Sequence, residues 1–187
     1  MIFEEAITQY VSDHIDKLES DYQWSFPAKN IPIQIEFGNE SWLEKNIKLR
    51  KELHKEWISS TEEKRLIISS WYIYEWGGVK TNKPEKLALY ASSKPEQLIL
   101  RKSAGIASWS KSLSVANPSQ FAIFDARVSS SLNSIQIIKK SPIRDIIQIC
   151  LAEIKPSLPQ QHLQNPQSRK NGRRCSRINS IPNTTLY

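Results

Sequence analysis

Glycine is scarce in this chain of 187 residues, five in all, and cysteine scarcer still at two. Cys150 and Cys175 make neither a disulfide framework nor a metal or iron–sulfur cluster, since each needs several thiolates at short spacing. A reducing interior fits such usage. No apolar run reaches the roughly 18 residues of a membrane span; the longest, around Ile67 to Trp76 and Ile143 to Leu151, carry polar interruptions. The first ten residues, MIFEEAITQY, place two glutamates where a signal peptide needs positive charge and then an unbroken apolar core. The expectation is a cytoplasmic protein without a membrane segment.

Other chemistries lack their residues. His14, His54 and His162 stand apart from any cysteine or carboxylate at metal-ligand spacing, so no metal is expected. Ser108, Ser110 and Ser129 to Ser131 show no nucleophile elbow. Gly77-Gly78-Val79-Lys80-Thr81-Asn82 is too short for a Walker loop and reads as a turn. The formal charge of +7 invites nucleic acid as a partner, but Arg169, Lys170, Arg173, Arg174 and Arg177 all follow the last acidic residue, Glu153. Without those five the balance falls from +7 to 7 − 5 = +2.

What is present is a succession of helical patterns. Ile2, Phe3, Ala6, Ile7, Tyr10, Val11, His14, Ile15 and Leu18 form one apolar stripe at spacings of three and four, predicting an amphipathic helix that faces the core. In IPIQIEF, Ile31, Ile33, Ile35 and Phe37 alternate with polar residues or proline, as in a short strand or an extended segment packed on helices. Helical spacing returns at Trp42, Leu43, Ile47, Leu49, Leu53 and Trp57. Ser60 or Thr61 then offers an N-cap to a helix running towards Trp76, stopped by Gly77 and Gly78. Pro84 and Pro95 open short helices, Gly105 breaks the second, and further helices are expected at Ser108 to Val115, through Val128, Leu132 and Ile135, and from Pro142. The fold class expected is mainly α over residues 1–155. From Pro156 the chain is rich in Pro, Gln, Asn, Ser and Arg, a composition that reads as a basic, disordered tail over 156–187 or as a frameshifted or truncated end.

The chemistry concentrates between Leu98 and Asn133. The order there is helix, tight turn, helix, loop, aspartate, helix. A glycine at 105 lets the backbone bend sharply, and the first N–H groups of the next helix have no intrahelical acceptor. Such groups bind a phosphate oxygen, aided by the helix dipole, whatever the base sequence. Gly105, Ile106, Ala107 and Ser108 supply the backbone of this grip, and Lys102 and Lys111 supplement it from side chains.

This segment resembles the helix-hairpin-helix DNA glycosylases, which include endonuclease III and the bacterial alkylation-repair 3-methyladenine glycosylases. Gly105-Ile106-Ala107-Ser108-Trp109-Ser110 stands where that family has Gly-apolar-Gly-x. Asn117-Pro118 stands in the loop, and Asp125-Ala126-Arg127-Val128 where the family has Asp-x-His/Arg-Val. The resemblance implies a glycosylase-like helical domain with its hairpin at about 98–115 and its catalytic loop at about 118–128. It also implies double-stranded DNA carrying a damaged or modified base as partner, and an enzyme that acts without a cofactor, as a monomer. The lysine nucleophile of bifunctional members falls on Trp109, the second hairpin glycine is Ala107, and the four-cysteine cluster of endonuclease III is absent. The tryptophan at 109 resembles the monofunctional alkylation-repair branch.

In that light Asp125 is the expected catalytic carboxylate, stabilising positive charge on the sugar as the N-glycosidic bond breaks and orienting or deprotonating water. Taken alone, an aspartate before an apolar-periodic run is an ordinary N-cap. Arg127 either holds Asp125 ionised or contacts the strand. Trp71, Tyr74, Glu75, Trp76 and Trp109 are candidates for a pocket receiving the flipped base, against the plainer reading of aromatic core. The competing class is a helix-hairpin-helix module that grips DNA without chemistry; a structural interaction protein that keeps only the fold comes third.

Overall fold

A computed structural model describes residues 2–139. The chain divides at Lys155/Pro156, so the expected tail at 156–187 and the helix expected from Pro142 lie outside the described residues. Among those described, all regular structure is helical, and no helix is long and apolar enough to cross a membrane.

Helix α1 (Phe3–His14) continues through a single 3-10 turn into α2 (Leu18–Asp21). An irregular segment that turns at Lys29 and Asn30 leads to α3 (Trp42–Ser59). There Ser41 and Glu44 form a reciprocal capping box: the Ser41 hydroxyl accepts from Glu44 N–H, and the Glu44 carboxylate accepts from Ser41 N–H at 2.9 Å. Thr61, rather than Ser60, caps α4 (Glu62–Trp71). The expected run towards Trp76 is made, but as a π-turn, Tyr72–Trp76, closed by Gly77 N–H donating to Tyr72 C=O at 3.0 Å. Such a turn holds one extra residue per loop and shifts the downstream chain off the α-helical path. Helices α5 (Pro84–Ser92) and α6 (Pro95–Ile99) each begin with the proline that presets their first φ. Tight turns over 100–105 then lead into α7 (Ile106–Ala116), and a loop leads to α8 (Ala126–Ile138).

Two apolar clusters hold these helices. One gathers Phe26, Leu49, Leu53, Trp57, Ile68, Trp71, Tyr72, Ala91 and Val115; the other gathers Ile73, Leu87, Tyr90, Leu98, Trp109 and Leu113. Each large aliphatic side chain so buried contributes roughly 1.5–3 kcal/mol. The π-turn joins the clusters, sending Tyr72 into the first and Ile73 into the second.

One pair of alternatives is decided and one expectation needs correction. Residues 31–37 bend at Pro32 and Ile33 and form no strand among the described residues. Their Ile31, Ile33, Ile35 and Phe37 side chains pack against the first cluster instead, which satisfies the same alternation without a ladder. The stripe on α1 reads as core, yet only Ala6 of that helix is buried, while Ile2, Val11, Ile15 and Leu18 are exposed. Helix α1 lies along α8, tied at one end by Lys139 donating to Asp13 at 2.7 Å.

Helix α7 is buried on all sides. Every residue from Ala107 to Val115 is buried, although Ser108, Ser110, Ser112, Ser114 and Lys111 are polar. A helix enclosed all round is normally apolar, so these groups must find partners. Ser112 donates to Tyr90 C=O and accepts from Ser69; Ser114 donates to Lys111 C=O; Ser108 accepts from Asn82. Serine is small enough to let neighbouring helices close on α7 while each hydroxyl is bonded.

Candidate active site

Asp125 caps α8. One carboxylate oxygen, Oδ1, accepts from the N–H groups of Arg127 and Val128 at 3.0 and 3.2 Å. The other, Oδ2, faces Lys111, whose Nζ lies 3.5 Å away, and Arg127, whose guanidinium lies 3.8 Å away. The ordinary N-cap and the placement of a carboxylate in a polar site are therefore both realised, on different oxygens of one side chain.

The loop carrying Asp125 is fastened to α7 by Ser110. Its hydroxyl donates to Phe124 C=O at 3.1 Å and accepts from Phe124 N–H at 3.0 Å. This clamp on the residue before Asp125 has no sequence signal, because a serine on a helix announces neither its burial nor a partner 14 residues away.

Lys111 is not where a surface phosphate contact would be. Its side chain is 1% exposed and its ammonium donates to Ala107 C=O at 2.7 Å. That burial takes Lys111 out of the backbone grip and puts it beside Asp125. The stem of Lys111 passes against Gly77: a Cβ there would lie 2.5 Å from Lys111 Cε and 2.8 Å from Ile73 C=O. The π-turn thus delivers a residue without a side chain to the one place where the lysine needs room.

The turn before α7 bends at Gly105. Gly105 has φ +75°, and a Cβ on it would collide with the Tyr90 hydroxyl. Lys102, exposed, also has positive φ at 53°. The N–H groups of Ile106 and Ser108 bond to Ser103 and Gly105 C=O within the turn. Those of Gly105 and Ala107 make no hydrogen bond among the described residues. Ala107 and Ser108 are buried as whole residues, while Gly105 and Ile106 are partly exposed.

The aromatic candidates separate. Trp71 belongs to the first core cluster and Trp109 to the second, each with its indole N–H buried and unbonded among the described residues. Tyr74 donates to Asn82 C=O. Glu75 is exposed, 3.9 Å from Lys80. Trp76 lines a cavity of about 210 Å³ together with Tyr22, Asn46, Arg50, Tyr72 and Ile123. Trp76 stacks on Tyr72 with ring centres 4.4 Å apart, donates to Asn46 at 2.7 Å, and meets Trp24 at 5.6 Å. Trp24 in turn lies under the Arg127 guanidinium, 4.6 Å from its ring centre. A continuous line of contacts therefore runs from Asp125 through Arg127, Trp24 and Trp76 to the cavity wall. Trp24, Asn46 and Arg50 carry no local motif, and nothing in their sequence neighbourhood points to a site.

Of the histidines in the described residues, His14 is exposed and stacks on Tyr10, and half-buried His54 bonds to Val115 C=O. No group of three or more His, Cys, Asp or Glu that could hold a metal occurs among the described residues. Compared with protein-family models, curated proteins and solved structures, the chain matches none.

Proposed function

We propose that this chain is a DNA glycosylase, which draws a damaged or modified base out of the duplex and breaks its N-glycosidic bond by hydrolysis. The observation that carries this is the Asp125 carboxylate, fixed by its helix cap and by Ser110 on a loop beside α7, whose opening turn leaves the Gly105 and Ala107 N–H groups unbonded. Those two N–H groups hold a phosphate oxygen. Asp125 opposes the positive charge that develops on the sugar as the base departs, and positions water for attack. Exposed Lys102 and Arg127 add cationic contact to the strand.

The test is release of free base from duplexes carrying alkylated, deaminated, oxidised and hypermodified bases, with wild type beside Asp125→Asn. Release that the variant loses, at nearly unchanged DNA affinity, supports the enzyme. Binding that weakens steeply with salt, with no release from any duplex, turns the assignment to a non-catalytic DNA-binding module.

The 3.5 Å between Lys111 and Asp125 favours a second reading of the same site. Here Lys111 passes a proton to Asp125 and attacks C1′, the C1′–N bond to the base breaks, and the C1′–O4′ bond then opens with loss of the remaining amine proton to O4′, giving an imine that leads on to strand cleavage. Borohydride traps that imine as a covalent enzyme–DNA adduct. Release without trapping keeps the hydrolytic reading; an adduct lost in Lys111→Met replaces it.

A further inference from the structure

The cavity beside Trp76 is closed on one side by the stacked pair Tyr72 and Trp76 and on another by α3. At about 210 Å³ it falls below the roughly 300–1,000 Å³ of drug-sized sites, on the scale of one heterocycle. Flat aromatic walls are surfaces on which any base stacks. Its polar equipment is more selective. The three polar contacts of Asn46 are spent on Trp24 C=O, Trp42 C=O and the Trp76 indole. Arg50, half-buried, has no ion pair among the described residues and is close enough to Tyr22 and Tyr72 to act electrostatically on both phenols. Burial holds both phenols above their ordinary range, so they remain neutral beside it.

We infer that this cavity takes a nucleobase through a carbonyl-bearing, neutral or anionic edge presented to Arg50, and rejects bases that carry positive charge. The inference rests on the glycosylase reading and narrows its substrate to deaminated or oxidised bases. Purines alkylated at N3 or N7 in DNA are cations, and the Arg50 guanidinium in a half-buried wall repels them. Carbonyl oxygens, by contrast, accept from the guanidinium fork in its own plane. The aromatic wall would serve either class; Arg50 decides between them. This runs against the alkylation-repair resemblance of the hairpin segment.

Calorimetric titration with free bases tests the cavity apart from any chemistry. Xanthine and uracil are the carbonyl-edged probes and 1-methyladenine, protonated near neutral pH, is the cation. Wild type is expected to bind the first two and not the third. Arg50→Met should weaken xanthine by about tenfold, the size of one lost charge-assisted hydrogen bond, and Arg50→Lys should recover part of it. Equal binding of the cation, indifference to Arg50→Met, or no binding by any base overturns the inference. Arg50-dependent xanthine binding without base release from any duplex would leave a nucleobase site and remove the glycosylase. Base release with no effect of Arg50 would do the reverse.

Discussion

Lys111 and Asp125 meet across the gap between α7 and the cap of α8, ammonium to carboxylate at 3.5 Å, with the lysine enclosed and the aspartate 16% exposed. Neither residue is surplus to the fold. The ammonium is also held by Ala107 C=O and the carboxylate also starts a helix. Removing one member of a buried pair costs about 3–5 kcal/mol when the charge left behind is fully enclosed. Asp125 keeps water on one side, so Lys111→Met should cost about 2 kcal/mol by the same reasoning. A double-mutant cycle with Asp125→Asn, read by urea denaturation, should return a coupling of about 1 kcal/mol. Strict additivity would mean the two charges do not sense each other.

Gly77→Ala should be as damaging as a change within the pair itself. The new methyl lies 2.5–2.8 Å from the Lys111 stem and from Ile73 C=O, and overpacking of that kind costs about 1–3 kcal/mol. Lys111→Ala in the same chain removes the colliding stem. The double variant is therefore expected to be more stable than the sum of the two single losses. No recovery would place the strain at the Ile73 carbonyl alone.

Ser110→Ala deletes both bonds that pin Phe124. Two neutral hydrogen bonds are worth about 1–3 kcal/mol together, so melting should fall by several degrees. On the proposed reading the larger effect is on chemistry. The rate of base release should drop while the DNA dissociation constant stays within about twofold, since the backbone grip of the Gly105 turn is untouched.

Tyr72 contributes to the loss of stability at alkaline pH. Burial raises its phenol above the ordinary 10.0, while the Arg50 charge and, less, the Ser114 hydroxyl pull the other way. The folded state thus prefers the protonated phenol. Its contribution is complete below about pH 10, the unfolded value, and is lost as pH rises towards the folded one. Tyr72→Phe should flatten the fall of stability above that pH, at the expense of one hydrogen bond near neutrality. Denaturation curves at neutral pH and above pH 10, compared between the two proteins, measure it.

Much of the helical plan is legible in the sequence. The stripe from Trp42 to Trp57, the cap at Thr61 and the two proline starts all rest on local chemistry, and α3 to α6 obey them. So does the position of Asp125 at a helix start. The errors have tertiary causes. Ile31 to Phe37 alternate as a strand does, but alternation records which side chains are buried, not whether a neighbouring strand exists. Lys111 reads as an outward residue because serines on α7 read as surface; they are interior, bonded to Asn82, Tyr90 and the Phe124 backbone. The cavity is the hardest feature to foresee. Arg50, Asn46 and Trp24 lie far from the hairpin in sequence, and only the folded chain brings them to Trp76.

Helix α7 also acts as a ruler. The unbonded N–H of Ala107 and the ammonium of Lys111 sit four residues apart on one rigid, enclosed helix, a rise of roughly 6 Å and slightly more than one turn. If a strand is held at the first point, helix geometry alone sets which of its nucleotides comes opposite the second. Length here cannot drift gradually. One residue inserted between Ala107 and Lys111 would swing the lysine about 100° around the axis, away from both Gly77 and Asp125. A substitution along this stretch costs the bonds or contacts of one side chain, whereas an insertion or deletion turns every later side chain of the helix together.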